Sequence, residues 1–264
     1  MIKGRNVFVK PSGQQLIQGD CLEHMRNIPE QSVDFIFADL PYGVTRNKWD
    51  SEIELERLGQ SFKRILKARG VVVMTGQNLF SAKLALSNEQ WFRYSLVWDK
   101  VLTTGFLNAN RMPLRSHEDV LVFYKKAPTY NPQKTIGKPS HSKGILHKTK
   151  ELINNNYAEF TSQDAIKSKM KHPKSILTFQ KPHPSVATHP TQKPEELLVW
   201  LIKSYTNEGD TVLDPVMGSG TTGVVCKKYG RKFIGIEKDY EIFTNAKRRL
   251  DDTPYMDERN DMNE

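Results

Sequence analysis

The chain is short of cysteine. It has two, Cys21 and Cys226, far apart in sequence. That pair offers no disulfide framework and is expected to be two reduced thiols in a cytoplasmic protein. No group of Cys and His has the spacing of a zinc site, so no metal is expected. No apolar run is long enough to cross a bilayer, and no membrane partner is expected. The opening Met1-Ile2-Lys3-Gly4 lacks the apolar core of a secretory signal. Internal repeats are absent too. What is present is 264 residues with 38% hydrophobic and 26% charged side chains, enough for a globular protein with a sizeable core.

Positive charge is in excess and unevenly placed. The net charge is +9, although the tail 251–264 carries six acids against Arg259. The stretch Lys125–Lys181 holds twelve lysines against Glu151, Glu159 and Asp164. Such an excess attracts polyanions. Charge alone also fits a solvated lysine-rich loop without a partner.

Apolar periodicity gives seven strands, at 16–18, 33–38, 71–75, 94–98, 119–124, 211–213 and 232–236. Helices are expected at 21–28, 52–68 (with Gly70 as its C-terminal cap), 78–87, 194–206 (with Pro194 at its first position), 221–229 and 240–250. Strands alternating with helices predict a mostly parallel sheet covered on both faces. The pattern stops after Tyr124. From Lys125 to Ser185 there are six prolines, many lysines and no sustained period. The expected organisation is one discontinuous domain, 1–130 and 186–250, interrupted by an insert at 131–185 and followed by a disordered acidic tail at 251–264.

Two strand ends carry candidate chemistry. Asp214-Pro215-Val216-Met217-Gly218-Ser219-Gly220-Thr221-Thr222 reads as strand, glycine turn and helix start. Glycines let a backbone approach a ligand, and a helix N-terminus offers N–H groups to an anion. Glu237 ends the next strand, seventeen residues after Gly220. An acid there can accept hydrogen bonds from both ribose hydroxyls, so the pair reads as a nucleoside site. The spacing is not Gly-x-Gly-x-x-Gly, and Asp214 would repel phosphates while suiting an ammonium. S-adenosylmethionine carries an ammonium and a sulfonium and fits better than a dinucleotide. The second strand end is Asp39-Leu40-Pro41-Tyr42, after the run Val33–Ala38. In an open parallel sheet it should face the same crevice as Asp214, although a lone Asp-x-Pro-Tyr also describes a turn.

Taken together these motifs resemble the amino-methyltransferases of DNA, whose signature is Asp/Asn/Ser-Pro-Pro-Tyr plus a glycine loop. The likeness is to the circularly permuted beta group, in which the catalytic motif precedes the cofactor loop, and within it to solitary methylases of phages and prophages. It is carried also by Gly19-Asp20-Cys21, Asn47-Lys48-Trp49-Asp50, Thr104–Ala109, His117-Glu118-Asp119 through Lys126, His189-Pro190-Thr191-Gln192-Lys193-Pro194 and Phe233–Glu237. It fades between Asn131 and His189. Leu40 departs from the usual proline, and Val216 from a common phenylalanine.

The resemblance implies a Rossmann-like methyltransferase fold and transfer of a methyl group from S-adenosylmethionine to N6 of a flipped adenine in double-stranded DNA. N4 of cytosine is the nearest alternative. RNA or protein methylation and an inactive DNA-binding subunit are further ones. The implied catalytic residues are Asp39, Leu40, Pro41 and Tyr42. The cofactor would be held by Asp20, Cys21, Asp39, Thr191, Gln192, Lys193, Asp214, Pro215, Met217, Gly218, Ser219, Gly220, Thr221, Thr222, Glu237 and Lys238. Read without the resemblance, the His189–Pro194 run is only the approach to a helix, and His117-Glu118 is a buried, satisfied pair with no catalytic role. The insert is expected to recognise the target, with Lys143, Lys148, Lys167, Lys169, Lys171 and Lys174 on phosphates; the loop Thr103–Ser116 is the other candidate. A second copy of the chain is a further candidate partner. The expected location is the cytoplasm of a bacterial or phage-infected cell.

Overall fold

Strand Val33–Ala38 shows why the sheet lies where it does. From Phe35 on its side chains alternate between two faces, and both faces are buried: Phe35 and Phe37 pack into one apolar cluster, Ile36 and Ala38 into another, which Val33 joins across a register irregularity. A strand buried on both sides belongs in the middle of a covered sheet. The computed structural model describes residues 7–9, 13–41, 53–138, 169–181 and 192–255. In chain order the elements are β1 (Val7–Val9), β2 (Gln14–Gln18), α1 (Cys21–His24), β3 (Val33–Ala38), α2 (Leu55–Ile65), β4 (Leu66–Gly76), α3 (Asn78–Ser87), β5 (Phe92–Thr104), β6 (Arg115–Phe123), β7 (Thr135–Ile136), β8 (Met170–Lys171), β9 (Ile176–Thr178), α4 (Glu195–Tyr205), β10 (Thr211–Asp214), α5 (Thr221–Lys228), β11 (Lys232–Glu237) and α6 (Tyr240–Asp252).

The main sheet runs β1-β2-β11-β10-β3-β4-β6-β5-β9. Neighbours from β2 to β4 are parallel, while β6 is antiparallel to both β4 and β5. All seven expected strands are in it. Two short edge strands bring the number to nine, correcting the expected seven: β1 pairs antiparallel with β2, and β9 pairs parallel with β5. One face of the sheet carries Leu197, Leu201, Val225 and Phe243 from α4, α5 and α6. The other carries Met25, Leu58, Phe62 and Leu84, from the short 3-10 turn after α1 and from α2 and α3. A fully buried Phe or Leu contributes about 1.5–3 kcal/mol by leaving water.

Some element ends differ from expectation. Helix α2 stops at Ile65 rather than Ala68, and the chain turns straight into β4 at Leu66. Leu66 keeps the helical period but is buried as the strand partner of Val33. Gly70 is therefore no cap: a Cβ there would lie 2.6 Å from Leu66 Cγ and 3.0 Å from the Asp34 carbonyl, so its smallness lets β4 close on β3. Pro194 is the N-cap of α4 rather than its first residue, with extended backbone (φ −63°, ψ 140°). Helix α6 continues through Asp252, two residues into the segment expected to be disordered, and Lys247 meets Asp251 at 3.2 Å one turn on.

The chain divides into two compact units, one of residues 132–174 and one of the remainder. The smaller contains the antiparallel pair β7–β8, in which Thr135 faces Lys171. Strand β9 lies within the range expected for the insert but is paired in the main sheet of the larger unit.

Candidate functional site

Strands β10 and β3 are adjacent, and the chain leaves them in opposite directions, through α5 to β11 and through α2 to β4. Such a switch point opens a crevice at the carboxyl ends of the strands. Asp214 ends β10, Asp39 follows β3, and Glu237 ends β11 on the far side of β10. The sequence placed these three acids in one crevice, and the fold brings them there.

The loop after β10 is held from several sides. Gly218 and Gly220 both have left-handed backbone, with φ +51° and +74°. Gly220 also has no room for a side chain, since a Cβ would lie 2.7 Å from Leu250 Cδ1 of α6. At Gly218 an added Cβ would meet nothing within 4 Å, so conformation alone demands glycine there. Met217 N–H donates to the Ile236 carbonyl at 2.9 Å, tying the loop to β11. Glu237 accepts from Gly218 N–H at 3.0 Å and from Asp239 N–H at 2.9 Å. Asp214 accepts from the Thr222 hydroxyl at 2.5 Å and from Val216 N–H at 3.2 Å. From α6, Arg249 reaches Thr221 Oγ1 at 2.8 Å and the Ser219 carbonyl at 3.1 Å. Pro215 and Met217 are buried beneath this turn.

Burial pushes the Asp214 carboxyl up to about 7, against the hydrogen bonds from Thr222 and Val216, and the charges of Asp39 and Glu237 add to the rise. Burial also raises Glu237, opposed by the backbone N–H groups of Asp239, Gly218 and Lys238. Carboxylates that disfavour one another in a partly dry space are stabilised by a cationic ligand. At the rim, Asp20 caps α1 by accepting from Leu22 N–H at 2.9 Å and meets Lys238 Nζ at 3.3 Å. Gly19 N–H donates to the Glu237 carbonyl, which sets β2 beside the acid. Cys21 is buried, and its thiol is pushed up to about 11, so it is not a thiolate nucleophile.

Around Asp39 the structure adds contacts that the sequence did not show. The Thr75 hydroxyl, at the end of β4, donates to Asp39 Oδ1. Lys193, expected at the methionine end of a cofactor, lies 2.5 Å from Asp39 Oδ2. The same ammonium is 3.5 Å from Glu118 Oε2 and 5.9 Å from the centre of the Trp98 ring. Glu118 in turn pairs with Lys100 at 3.3 Å. Lys100 is held below its ordinary value by burial, which Glu118 opposes. The sequence reading missed Thr75, Trp98 and Lys100, and its buried His117-Glu118 pair is corrected: His117 is exposed, and Glu118 pairs with Lys100 and Lys193 instead. Strand pairing explains their arrival: β4 runs parallel to β3, which sets Thr75 beside Asp39, and the antiparallel β5–β6 pair sets Trp98 opposite Glu118. The one available signal was a polar Thr closing an apolar run.

Leu40 is buried and Pro41 half-buried, and both line a cavity of about 330 Å³ with Ile53, Phe80 and Lys83. A larger cavity of about 730 Å³ lies among α4, α5 and α6 and touches the glycine loop only at Ser219, so it is not the crevice. Gln192 lies half-buried beside Lys193 in the sequence. Tyr42, Thr191, Lys143, Lys148 and Lys167 fall outside the described residues. Lys169 and Lys174 are exposed and Lys171 half-buried, all in the smaller unit. The tip of the β5–β6 hairpin is apolar and exposed, at Phe106 (77%) and Leu107 (84%). Among the described residues no cluster of His, Cys, Asp or Glu could hold a metal.

A parallel sheet with a glycine loop after β10, an acid closing β11 and Asp-x-Pro after β3 is a combination found in known proteins. Residues 33–248 match the family of N6/N4 DNA methylases. The chain belongs to that family. This methylase is 30% identical to the DNA adenine methyltransferase YhdJ of Escherichia coli K12, over 89% of this chain and 82% of that one. It is 29% identical to the type II methyltransferase M.HinfI of Haemophilus influenzae, over 89% and 67%. Among solved structures, M1.HpyAVI in complex with SAM superposes with a TM-score of 0.59 at 25% identity, over 89% of this chain and 98% of that one. The cytosine-N4-specific PvuII methyltransferase superposes with 0.65 at 17% identity, over 96% and 93%, which speaks for the fold.

Proposed function

We propose that this methylase transfers a methyl group from S-adenosylmethionine to N6 of an adenine flipped out of double-stranded DNA. The observation that carries the reading is the position of Asp39 and the Leu40 backbone at the end of β3, one strand from Asp214 and its glycine loop. The donor set fits the cofactor. Three carboxylates face a crevice with raised proton affinity at Asp214 and Glu237, which suits a ligand bearing an ammonium and a sulfonium. Glu237 is placed for the ribose hydroxyls, Asp20 for the adenine end and Asp214 for the ammonium. When bound, the cofactor supplies an electrophilic methyl carbon on sulfur.

The chain's own work is orientation. The amino nitrogen of adenine is a poor nucleophile because its lone pair is delocalised into the ring. The Asp39 carboxylate and the Leu40 carbonyl each accept one of its N–H groups. That holds the nitrogen nearer a tetrahedral shape, with its lone pair aimed out of the ring plane. Leucine supplies that carbonyl as well as proline does. Pro41 stiffens the turn, and Tyr42 stacks on the extruded ring, where stacking on an aromatic contributes about 1–3 kcal/mol. Placement of this kind accounts for most of the rate.

Adenine is favoured over cytosine by Asp39, where serine is more usual among cytosine enzymes, and by the adenine-methylating relative YhdJ. The lysines of the insert, from Lys143 to Lys174, hold phosphates and orient the duplex. A homodimer is not required for the chemistry, because Asp39, Asp214 and Glu237 come from one chain. No helix among the described residues is long and apolar enough to cross a membrane. A DNA substrate places the work in the cytoplasm of a bacterial or phage-infected cell. Mass spectrometry of nucleosides from treated, unmethylated genomic DNA tests the reading. N6-methyladenine is the expected product; N4-methylcytosine, or no methylated nucleoside, sinks it.

A further inference from the structure

We infer that Lys193 is a positioning residue that holds Asp39 in the resting methylase and passes to Glu118 when the target amine arrives. The inference rests on the methyl-transfer reading above and assigns a role to two residues outside its machinery.

Lys193 stands between two carboxylates. Its ammonium lies 2.5 Å from Asp39 Oδ2 and 3.5 Å from Glu118 Oε2. The side chains of Lys193 and Glu118 are only 10% and 12% exposed. Glu118 Oε1 is held by Lys100 at 3.3 Å. Glu118 Oε2 is shut off from solvent and has no hydrogen-bond partner among the described residues. A buried carboxylate oxygen left in that state is costly, and native structures rarely keep one without a use. The group facing it is the Lys193 ammonium. The structure thus shows Lys193 on Asp39 with a second acceptor prepared within about 1 Å of further travel.

Methyl transfer asks for the other arrangement. Asp39 must accept an N–H of the target amine, and an ammonium on Oδ2 competes for the same lone pairs. Charge matters as well. As the N–C bond forms, the S–C bond breaks and its electron pair stays on sulfur, so the positive charge passes from sulfur to the nitrogen. The extra proton then leaves the nitrogen for Asp39 or water. A cation resting on Asp39 opposes both steps. On Glu118 it no longer does, while Thr75 still fixes the other Asp39 oxygen. The move needs no shift of secondary structure, because Lys193 precedes α4 and only its flexible stem swings beside the Trp98 ring. Lys100 cannot serve instead, since it comes from β5 and is already bound to Glu118.

The test compares the parent with Glu118→Gln, Glu118→Asp, Lys193→Met and the double variant Glu118→Gln/Lys193→Met. Tritiated methyl transfer to unmethylated genomic DNA gives kcat, and calorimetry gives S-adenosylmethionine affinity. In Glu118→Gln, kcat should fall by up to about 100-fold, the scale of a reacting group misplaced by an ångström, with cofactor affinity unchanged. Glu118→Asp, which keeps the charge, should recover most of the rate. Adding Glu118→Gln to Lys193→Met should lower kcat no further. Three results overturn the inference: parental kcat in Glu118→Gln, losses that multiply in the double variant, or cofactor affinity falling in step with kcat. If Glu118→Gln does not fold, Lys193→Met decides, because lost rate with intact cofactor affinity supports positioning and lost affinity puts Lys193 on the cofactor. A parent that methylates no DNA defeats the functional reading instead, so the two failures are distinguishable.

Discussion

The two units of this methylase are built by opposite rules. The larger one is a sheet whose strands bury side chains on both faces, with helices closing over them. The unit of residues 132–174 has, among its described residues, one pair of two-residue strands, whose apolar side chains Ile136 and Met170 are exposed. Its composition is lysine and polar residues rather than apolar periods. The first unit is shaped by its own core. The second has little core among those residues, and its character is charge, which acts on a partner. We propose that the two tasks of the enzyme divide along the same line, with chemistry in the crevice and choice of target in the charged insert. Substitutions in the first should change rate or cofactor affinity on every DNA. Substitutions in the second should change DNA affinity and leave the chemistry alone.

The largest expected effect is at Asp39. Asp39→Ala should lower methyl transfer by about 10²–10³-fold or more, the scale seen when one group aimed at developing charge is removed. Cofactor affinity should change little. Single-turnover incorporation of tritiated methyl, with calorimetry beside it, measures both. A rate equal to the parent's would dismiss Asp39 and break the comparison at its centre.

Next is Glu237. Glu237→Ala should weaken S-adenosylmethionine binding by about 10–100-fold, since a charge-assisted hydrogen bond contributes about 1.5–3 kcal/mol. The same carboxylate receives Gly218 N–H and Asp239 N–H, so part of the loss will come from a loosened glycine loop. Glu237→Gln keeps an acceptor oxygen and should lose less. Equal calorimetric affinity in all three proteins would remove Glu237 from the site.

These acids show how much of the site was legible. Asp39, Asp214 and Glu237 each close an apolar run, and a polar residue at the end of a buried parallel strand sits in the crevice whatever the remaining details. The seven strands were legible for the same reason, and α3 to the residue. Leu66 misled because it satisfies a helical period and a strand partner alike, and only the close approach of Gly70 to β3 decides between them. Strands β1 and β9 are three residues each and lie at the edges, where no two-sided apolar run forms. Thr75, Lys100 and Glu118 were illegible as site residues. Their partners are remote in the sequence: the parallel pairing of β3 with β4 sets Thr75 beside Asp39, the antiparallel pairing of β5 with β6 sets Lys100 beside Glu118, and Lys193 reaches Glu118 from the approach to α4. Lys193 was read as a cofactor contact, and the 154 residues between it and Asp39 hid the ion pair.

Proton affinity gives a smaller effect that sharpens the picture of the crevice. Asp214 rises from an ordinary 3.8 to about 7 in the folded chain, mainly through burial. The folded chain therefore holds this proton more tightly than the unfolded one. Stability from this group falls as pH rises from about 4 to about 7 and is flat above that. A cationic ligand prefers the ionised carboxyl, so below 7 its binding must expel the proton. Affinity for S-adenosylmethionine should be about ten-fold weaker at pH 6 than at pH 8, with proton release in calorimetry. Asp214→Asn should bind more weakly and lose that dependence. A parent with the same affinity at both pH values would place the ammonium elsewhere.

The smallest effect belongs to the insert, and it tests the other half of the comparison. Lys169 and Lys174 are exposed and Lys171 half-buried in the 132–174 unit. If each holds a phosphate, replacing all three with glutamine leaves three phosphates unneutralised and their counterions in place. The logarithm of DNA affinity against the logarithm of salt should then flatten by about one unit for each lysine replaced. The loss should be the same on every DNA sequence, because phosphate contacts position the duplex without reading it. At saturating DNA, kcat and the methylated atom should stay as in the parent. Fluorescence anisotropy across a salt series and a turnover assay at high DNA concentration measure the two sides. A salt slope unchanged in the triple variant would mean that these lysines face solvent only. Binding would then have to come from elsewhere, with the exposed hairpin tip at Phe106 and Leu107, flanked by Arg111 and Arg115, as the next surface to alter.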